Sequence, residues 1–387
     1  MLSMIALACG LLLLLAVARA DSPRESAPLA RLPGHHQEIN QLLTQRLALL
    51  KKVALLGANG APCSKDRFVF ISEHPYGNSG NHIVSLANTL WVAQQMNATL
   101  ILPEWITSTL KPFNLSVLAQ TFCFTLNPAI PKGTVNLEVT SEDSFFAFKL
   151  FHQPPFTLPP LSKTTVDAVS AHYVKVYAAL WSNPDPSILQ AADWLIHLHL
   201  LPSLHYSAVH KRSLDGGCGK IMTENTHVSD FDPKELPMDA PEWKGDLRAH
   251  HPLCEMTLSF ANATMALHGH AGEPLFVAFD GQGDVSHYTS SVFSSVVEGH
   301  ERHKKTPRKY LDMLVAMHAS LFVMNPRSTF SWQIFVVRTV LDLPSVPRLR
   351  SDLYLQSEAE VRGADRPLWV SWSSVGEAFD TMRPHLQ

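Results

Sequence analysis

The sequence predicts an α/β protein of two lobes, each a parallel sheet covered by helices, with a cleft between them. Short apolar runs bounded by turn residues alternate with helical periodicity along most of the chain, which is the pattern of β-α-β units. The 387 residues exceed what one ordinary domain needs. With 46% hydrophobic and 17% charged residues, the chain carries ample apolar material for a large core and is not of disordered composition. A formal net charge of −3, from 31 basic and 34 acidic residues, argues against a nucleic-acid partner held by phosphate neutralisation.

The first element is a targeting segment. Leu2 to Val17 is almost uninterruptedly apolar and is followed by Ala18-Arg19-Ala20, a small-x-small cleavage pattern. Residues 1–20 are therefore expected to be a signal peptide cut before Asp21. No Lys or Arg precedes the run, so an uncleaved anchor competes, but the run is short for the ~20 residues a bilayer needs. No second apolar stretch of that length occurs. The mature protein is expected to be soluble, without a membrane contact, in the lumen of the endoplasmic reticulum or Golgi or outside the cell. The terminal His385-Leu386-Gln387 is not a retention signal of the Lys-Asp-Glu-Leu type.

Cysteine use fits that route. Cys9 leaves with the signal, and Cys63, Cys123, Cys218 and Cys254 remain, an even number with three pairings open. Two lie in each half of the chain, which favours Cys63–Cys123 and Cys218–Cys254. No C-x-x-C spacing supports a zinc site. Glycosylation sequons stand at Asn97, Asn114 and Asn262.

Residues 21–60 read as a stem and an N-terminal helix, with Ile39, Leu42, Leu43, Leu47, Leu50, Val53 and Leu56 at helical spacing before Gly57. The first lobe is expected over 61–200. Phe68–Ser72 reads as a buried strand, Tyr76–Asn81 as a turn-rich loop, His82–Met96 as a helix and Thr99–Pro103 as a second strand. A Pro-rich stretch over 153–160 precedes helical patterns at Thr165–Trp181 and Ser187–Leu200. The second lobe, with the C-terminal tail, is expected over 201–387. Strand Leu204–Val209 opens it, and 216–252, rich in Gly, Pro, Asp and Glu, reads as a long surface loop. Helix Thr257–His268, strand Leu275–Phe279, helix Arg308–Ala319, strand Leu321–Met324 and helix Thr329–Leu341 follow.

Ligands of open α/β sheets bind beyond the carboxyl ends of the strands. Four loops fall there: Gly77–Asn81, His210–Asp215, Asp280–Asp284 and Asn325–Phe330. Gly77 and Gly80 permit close backbone approach, and Asn81 stands at the expected helix N-cap. Strand alternation puts His210 and Arg212 on one side, where a guanidinium grips phosphate oxygens in pairs. Asp280 ends a strand and suits a ribose or a base amino group. Ser328 and Thr329 open a helix whose free N–H groups suit an anion. Singly, each has a plain structural alternative: a turn, an ion pair, a cap. Together they favour a nucleotide-phosphate cleft.

These segments resemble the GDP-fucose protein O-fucosyltransferases. Gly77-Asn78-Ser79-Gly80-Asn81 with Asn97 to Ile106 is similar to the start of that family. Val209-His210-Lys211-Arg212 resembles its His-x-Arg motif, Phe276 to Asp280 its strand with a terminal aspartate, and Ser328-Thr329-Phe330-Ser331 with Arg338 its last motif. The likeness runs in order over roughly 66–110 and 204–340; the middle, 110–200, has no counterpart. It implies a GT-B-like enzyme of two Rossmann-like lobes, the first on the acceptor side and the second binding GDP-fucose. No cofactor or metal is implied beyond the donor substrate. Transfer to a hydroxyl of a protein or glycan acceptor would be inverting. The family's arginine role, stabilising the departing diphosphate, carries to Arg212. His210 would contact the nucleotide sugar, Asp280 the nucleoside, and Ser328, Thr329 and Phe330 the phosphates and base. Asn81 would lie near the sugar and the acceptor, with a catalytic role beside Arg212, and Gly80 would help bind the substrate. Asp215, three residues beyond Arg212, is the candidate base, one position off the family's usual spacing.

Other chemistries are less well supported. Asp230-Phe231-Asp232 is an Asp-x-Asp triplet, the metal-nucleotide signature of another glycosyltransferase fold, but it precedes Pro233 instead of ending a strand. The 20 histidines include close pairs, none in a His-Glu-x-x-His pattern, and no Gly-x-Ser-x-Gly marks a serine hydrolase. The alternative from another class is a catalytically inactive secreted protein that binds a sugar nucleotide or glycan on the same fold.

Overall fold

Strands form where short runs of β-branched and aromatic residues fall between helices. The computed structural model describes residues 33–58, 63–72, 74–126, 134–145, 163–199, 205–212, 217–226, 228–279, 288, 292–293, 308–348 and 372–386. The expected signal peptide and most of the stem lie outside these, as do Asp215 and Asp280. Ile39–Gln387 is one compact unit, and both sheets lie within it.

The first sheet holds β1 (Arg67–Ile71), β2 (Thr99–Ile101), β3 (Phe124–Thr125) and β4 (Val135–Val139) in the order β3-β2-β1-β4. All its pairings are parallel, with Val69 opposite Leu100 on one side and Leu137 on the other. The second sheet holds β5 (Ser207–Lys211), β6 (Leu275–Phe279), β7 (Val292–Phe293), β8 (Leu321–Val323) and β9 (Ser345–Val346) in the order β7-β6-β5-β8-β9. It too is wholly parallel, with Val209 between Val277 and Val323. Parallel strands are covered on both faces, so they read as continuous apolar runs, and all five residues of β5 are buried. Two wholly parallel sheets with helical cover make this the α/β class that the sequence predicts.

Helices supply the cover and join the sheets. The N-terminal helix α1 (Pro33–Leu55) buries Leu43, Leu50, Val53 and Ala54. Next, α2 (Ser79–Gln95) crosses from β1 to β2 and buries a continuous block from Ile83 to Leu90. Between α2 and β5 come the short helices α3 (Glu104–Leu110), α4 (Ser116–Thr121) and α5 (Ser141–Phe145), then the longer α6 (Lys163–Trp181) and α7 (Pro186–His199). After β5 come α8 (Cys218–Asn225), α9 (Pro252–Glu255), α10 (Leu258–Leu267), α11 (Arg308–His318), α12 (Thr329–Val340) and the last helix, α13 (Trp372–Met382). Helix α11 packs on α7, and α12 packs on α2 and α6. Tyr310 of α11 donates its hydroxyl proton to the Thr109 carbonyl at 2.8 Å and meets Phe113 edge-on. The last helix returns to the first half and packs along α6. Val375, Ala378, Phe379 and Met382 are its buried face, and Ser170 donates to Ser374 at 2.9 Å.

Two expectations are corrected. The segment 216–252 is not a surface loop: it contains α8 and two 3-10 turns, and Met222, Phe231 and Leu236 are buried in the core. Its Gly and Pro residues punctuate packed turns. Helix α2 begins three residues before His82, so its N-cap is Asn78 and not Asn81.

Both pairs of cysteines are bonded, Cys63 to Cys123 and Cys218 to Cys254. Asn97, Asn114 and Asn262 are all exposed. No described helix is long and apolar enough to cross a membrane.

Candidate functional site

The order β7-β6-β5-β8-β9 makes the gap between β5 and β8 a point where successive connections leave in opposite directions. Such switch points open a crevice at the carboxyl ends of the strands. The loop after β5 carries Arg212, and the loop after β8 carries Asn325 to Ser328. In the first sheet, β1 likewise sits between β2 and β4, and the loop after it with the first turn of α2 carries Gly77 to Asn81.

Alternation at the end of β5 sends its side chains two ways. Lys211 turns to α9, where its ammonium donates to the Glu255 carbonyl and lies 3.7 Å from the Glu255 carboxylate. His210 and Arg212 turn to α12. His210 is buried, with its ring centroid 4.5 Å from that of Phe330 and Nδ1 2.8 Å from Ser331 Oγ. Burial, and after it the neighbouring Arg212 guanidinium, pushes its pKa down to about 3, so the imidazole is neutral at physiological pH. Arg212 is half-buried. Its Nη1 donates to the Arg327 carbonyl at 3.3 Å, and its backbone N–H donates to the Cys254 carbonyl at 3.3 Å.

The loop before α12 is held from within. Asn325 is buried and its Oδ1 accepts the Arg327 N–H at 3.0 Å. Its Nδ2 donates to the Leu253 carbonyl at 3.2 Å and faces Cys218 Sγ at 3.1 Å. The Cys218–Cys254 disulfide is thus tied to both loops, through Asn325 and through the Cys254 carbonyl. Arg327 Nε donates to Thr226 Oγ1 at 2.7 Å. Ser328 caps α12, its Oγ accepting the Phe330 N–H at 3.2 Å. The N–H groups of Thr329 and Ser331 have no carbonyl to meet within the helix, as in every first turn.

The Gly77–Asn81 segment comes to this helix end from the other sheet. Thr329 donates its hydroxyl proton to Asn81 Oδ1 at 3.0 Å. Asn81 lies within the first turn of its own helix, past the Asn78 cap, and its side chain meets α12 instead. A Cβ on Gly80 would stand 2.4 Å from Thr329 Oγ1 and 3.5 Å from the Phe330 nitrogen. Gly77 has φ +68°, and a Cβ there would stand 2.0 Å from Asn81 Nδ2. His82 bridges Gly77 and α3, with Nε2 3.1 Å from the Gly77 carbonyl and Nδ1 2.7 Å from Thr109 Oγ1.

Thus Gly80, Asn81, His210, Arg212, Ser328, Thr329 and Phe330 are brought to one place. The Thr329 hydroxyl proton is committed to Asn81, whereas Ser328 Oγ accepts the Phe330 N–H and keeps its own proton.

Sequence reasoning missed four contributors. Lys309, at the start of α11, donates to Ser79 and lies 5.0 Å from the centre of the Tyr310 ring. Among the described residues it pairs with no carboxylate. Burial holds its ammonium below the ordinary lysine value. Its only signal was membership of a basic run. Asn325 and Arg327 lie in a segment that reads as a loop, and nothing in its sequence marks either residue singly. Ser331 was seen only as the last letter of a motif. Arg338 was also part of that motif, but it stands apart from the site. It is fully buried and donates to the carbonyls of Ala316, Met317, Ala319, Ser320 and Pro344 and to Ser345 Oγ. Among the described residues no group of His, Cys, Asp and Glu is arranged to hold a metal ion.

No protein-family model and no curated protein matches the chain. Similar solved structures exist. The apo form of POFUT1 is 16% identical, covers 74% of this chain and 98% of its own, and has a TM-score of 0.43. POFUT1 in complex with GDP-fucose is 15% identical over 73% and 98%, with a TM-score of 0.40. An Arabidopsis thaliana FUT1 mutant in complex with GDP is 11% identical over 86% and 81%, with a TM-score of 0.35.

Proposed function

We propose that the chain is a glycosyltransferase that moves fucose from GDP-fucose to a hydroxyl of a protein or glycan acceptor, with inversion and without a metal. One observation carries the reading. The His210–Arg212 strand end, the first turn of α12 and the Gly77–Asn81 segment meet, although they come from two sheets and from positions far apart in sequence. These are the segments whose sequences resemble GDP-fucose protein O-fucosyltransferases.

The lobe over 61–200 would face the acceptor, and the lobe over 201–387 would hold the nucleotide. In this reading Arg212 meets the diphosphate, the N–H groups of Thr329 and Ser331 hold its oxygens, and Phe330 and His210 form a flat wall beside it. Asn81 lies at the sugar. Asp280 reaches the nucleoside and Asp215 is the candidate base. Sugar transfer leaves negative charge on the β-phosphate, and a fixed donor there lowers the barrier by about 3–4 kcal/mol. The two disulfides and the expected signal peptide support a secretory-pathway location, where Asn97, Asn114 and Asn262 would carry glycans.

The test is GDP release from GDP-fucose by the purified protein, with and without an acceptor library and EDTA. Release that survives EDTA and falls by roughly 10²–10³-fold in Arg212→Ala supports the proposal. Saturable GDP-fucose binding with no turnover indicates the inactive binding protein. A wild-type rate in Arg212→Ala removes Arg212 from the mechanism.

A further inference from the structure

Ser331 has a proton-accounting problem with one solution. Its side chain is fully buried. Its Oγ accepts the Asn325 N–H at 3.2 Å and lies 2.8 Å from His210 Nδ1. A hydroxyl carries one proton. Elsewhere in α12 such a proton goes back to the carbonyl one turn earlier, as Thr339 donates to Phe335 at 3.0 Å. Ser331 makes no such bond. The carbonyl one turn before it, that of Arg327, receives Arg212 instead. Among the described residues, His210 Nδ1 is the single acceptor within reach of the Ser331 proton. Leaving a buried hydroxyl proton unpaired is costly, so Ser331 donates and Nδ1 accepts. In a neutral imidazole the proton then sits on the other nitrogen.

We propose that Ser331 is a positioning residue that fixes His210 in the tautomer protonated at Nε2, so that the strand end offers a neutral N–H donor next to the Arg212 guanidinium. This rests on the nucleotide reading above for its purpose, though not for its geometry. Nε2 makes no bond among the described residues and is not one of the sealed, unpartnered polar atoms of the core. It therefore keeps some exposure in a residue that is otherwise buried. The ring is clamped between Ser331 and the Phe330 face, so the direction of that N–H is set in advance. A neutral donor suits this place. A diphosphate oxygen gains a second hydrogen bond without a second positive charge being forced against Arg212. The Asn325 backbone N–H completes the relay by occupying one Ser331 lone pair.

The tautomer is read directly from the ¹⁵N resonances of His210 in histidine-labelled protein, assigned by their loss in His210→Gln. A pyridine-like Nδ1 with a pyrrole-like Nε2 is expected. The reverse pattern overturns the proposal whether or not the protein binds a nucleotide. The functional arm is a double-mutant cycle on GDP affinity. Ser331→Ala in the wild-type background is expected to weaken GDP binding about tenfold, the scale of one hydrogen bond to a charged group. A glutamine at 210 presents an amide N–H near the Nε2 position and has no tautomer to select. In the His210→Gln background Ser331→Ala is therefore expected to change affinity by less than about twofold. Equal losses in both backgrounds assign Ser331 a merely structural role. Absence of GDP binding by the wild-type protein removes the nucleotide reading, and the ¹⁵N pattern then decides the tautomer alone.

Discussion

Gly80 and Arg338 look alike in sequence, as members of motifs, yet the structure uses them very differently. The missing side chain at Gly80 makes room for Thr329, 249 positions away, and not directly for a ligand. A methyl group there would press on a short, packed hydroxyl with little freedom to move. Gly80→Ala is expected to cost about 1–3 kcal/mol, read as a lower urea midpoint. Thr329→Ala in the same chain is expected to recover part of the loss, because it removes the nearest atom. Unchanged stability in Gly80→Ala would show that the two segments do not touch. The sequence marks Gly80 as special but not why, since pairwise contacts across two sheets leave no local trace. Arg338 is a cation with burial as the leading cause of its lowered pKa, about 9. It ties the end of α11 to the entries of β8 and β9, a structural duty that motif resemblance does not distinguish from chemistry.

Elements with a clear period were legible. Strand β6 lies where its apolar run predicts, and α6, α7, α11 and α12 begin and end within two residues of expectation. The strands β3, β7 and β9 are two residues long, too short to carry any period. Helix α8 escaped because it is a short amphipathic piece inside a Gly- and Pro-rich stretch. Its position is set by the Cys218–Cys254 bond, which spans 36 residues and also lies against Asn325. In the chain-entropy picture, closing such a loop stabilises the fold by about 4 kcal/mol. Replacing both cysteines by alanine is expected to lower the denaturant midpoint accordingly. It should also weaken GDP binding, because the Arg212 N–H rests on the Cys254 carbonyl. A stability loss with intact GDP affinity would separate the bond from the site.

For the molecule as a whole, buried histidines set the response to acid. Burial is the leading cause in each case: it lowers His172 and His251 to about 4, His210 to about 3, and His318 well below the ordinary value. Each is neutral when folded and takes a proton when unfolded below about pH 6.5. Their contribution is therefore complete above that pH and is lost as the pH falls toward the folded values. The expected slope is about 1.4 kcal/mol per pH unit for each such histidine. Urea midpoints at pH 7.5, 6.5 and 5.5 check this, and a midpoint that stays level from 6.5 to 5.5 contradicts it. The two-sheet plan was legible at this scale, because alternating patterns repeat in both halves. Helix α13 was not: its residues read only as a C-terminal tail, because the helix packs on α6, a partner remote in sequence.

The return of α13 to α6 bears on how the chain matures. The first half lacks one of its covering surfaces until residues 372–382 have left the ribosome, so it waits, partly uncovered, until then. Nascent chains halted before Trp372 should hence lean on chaperones more than chains that already include α13.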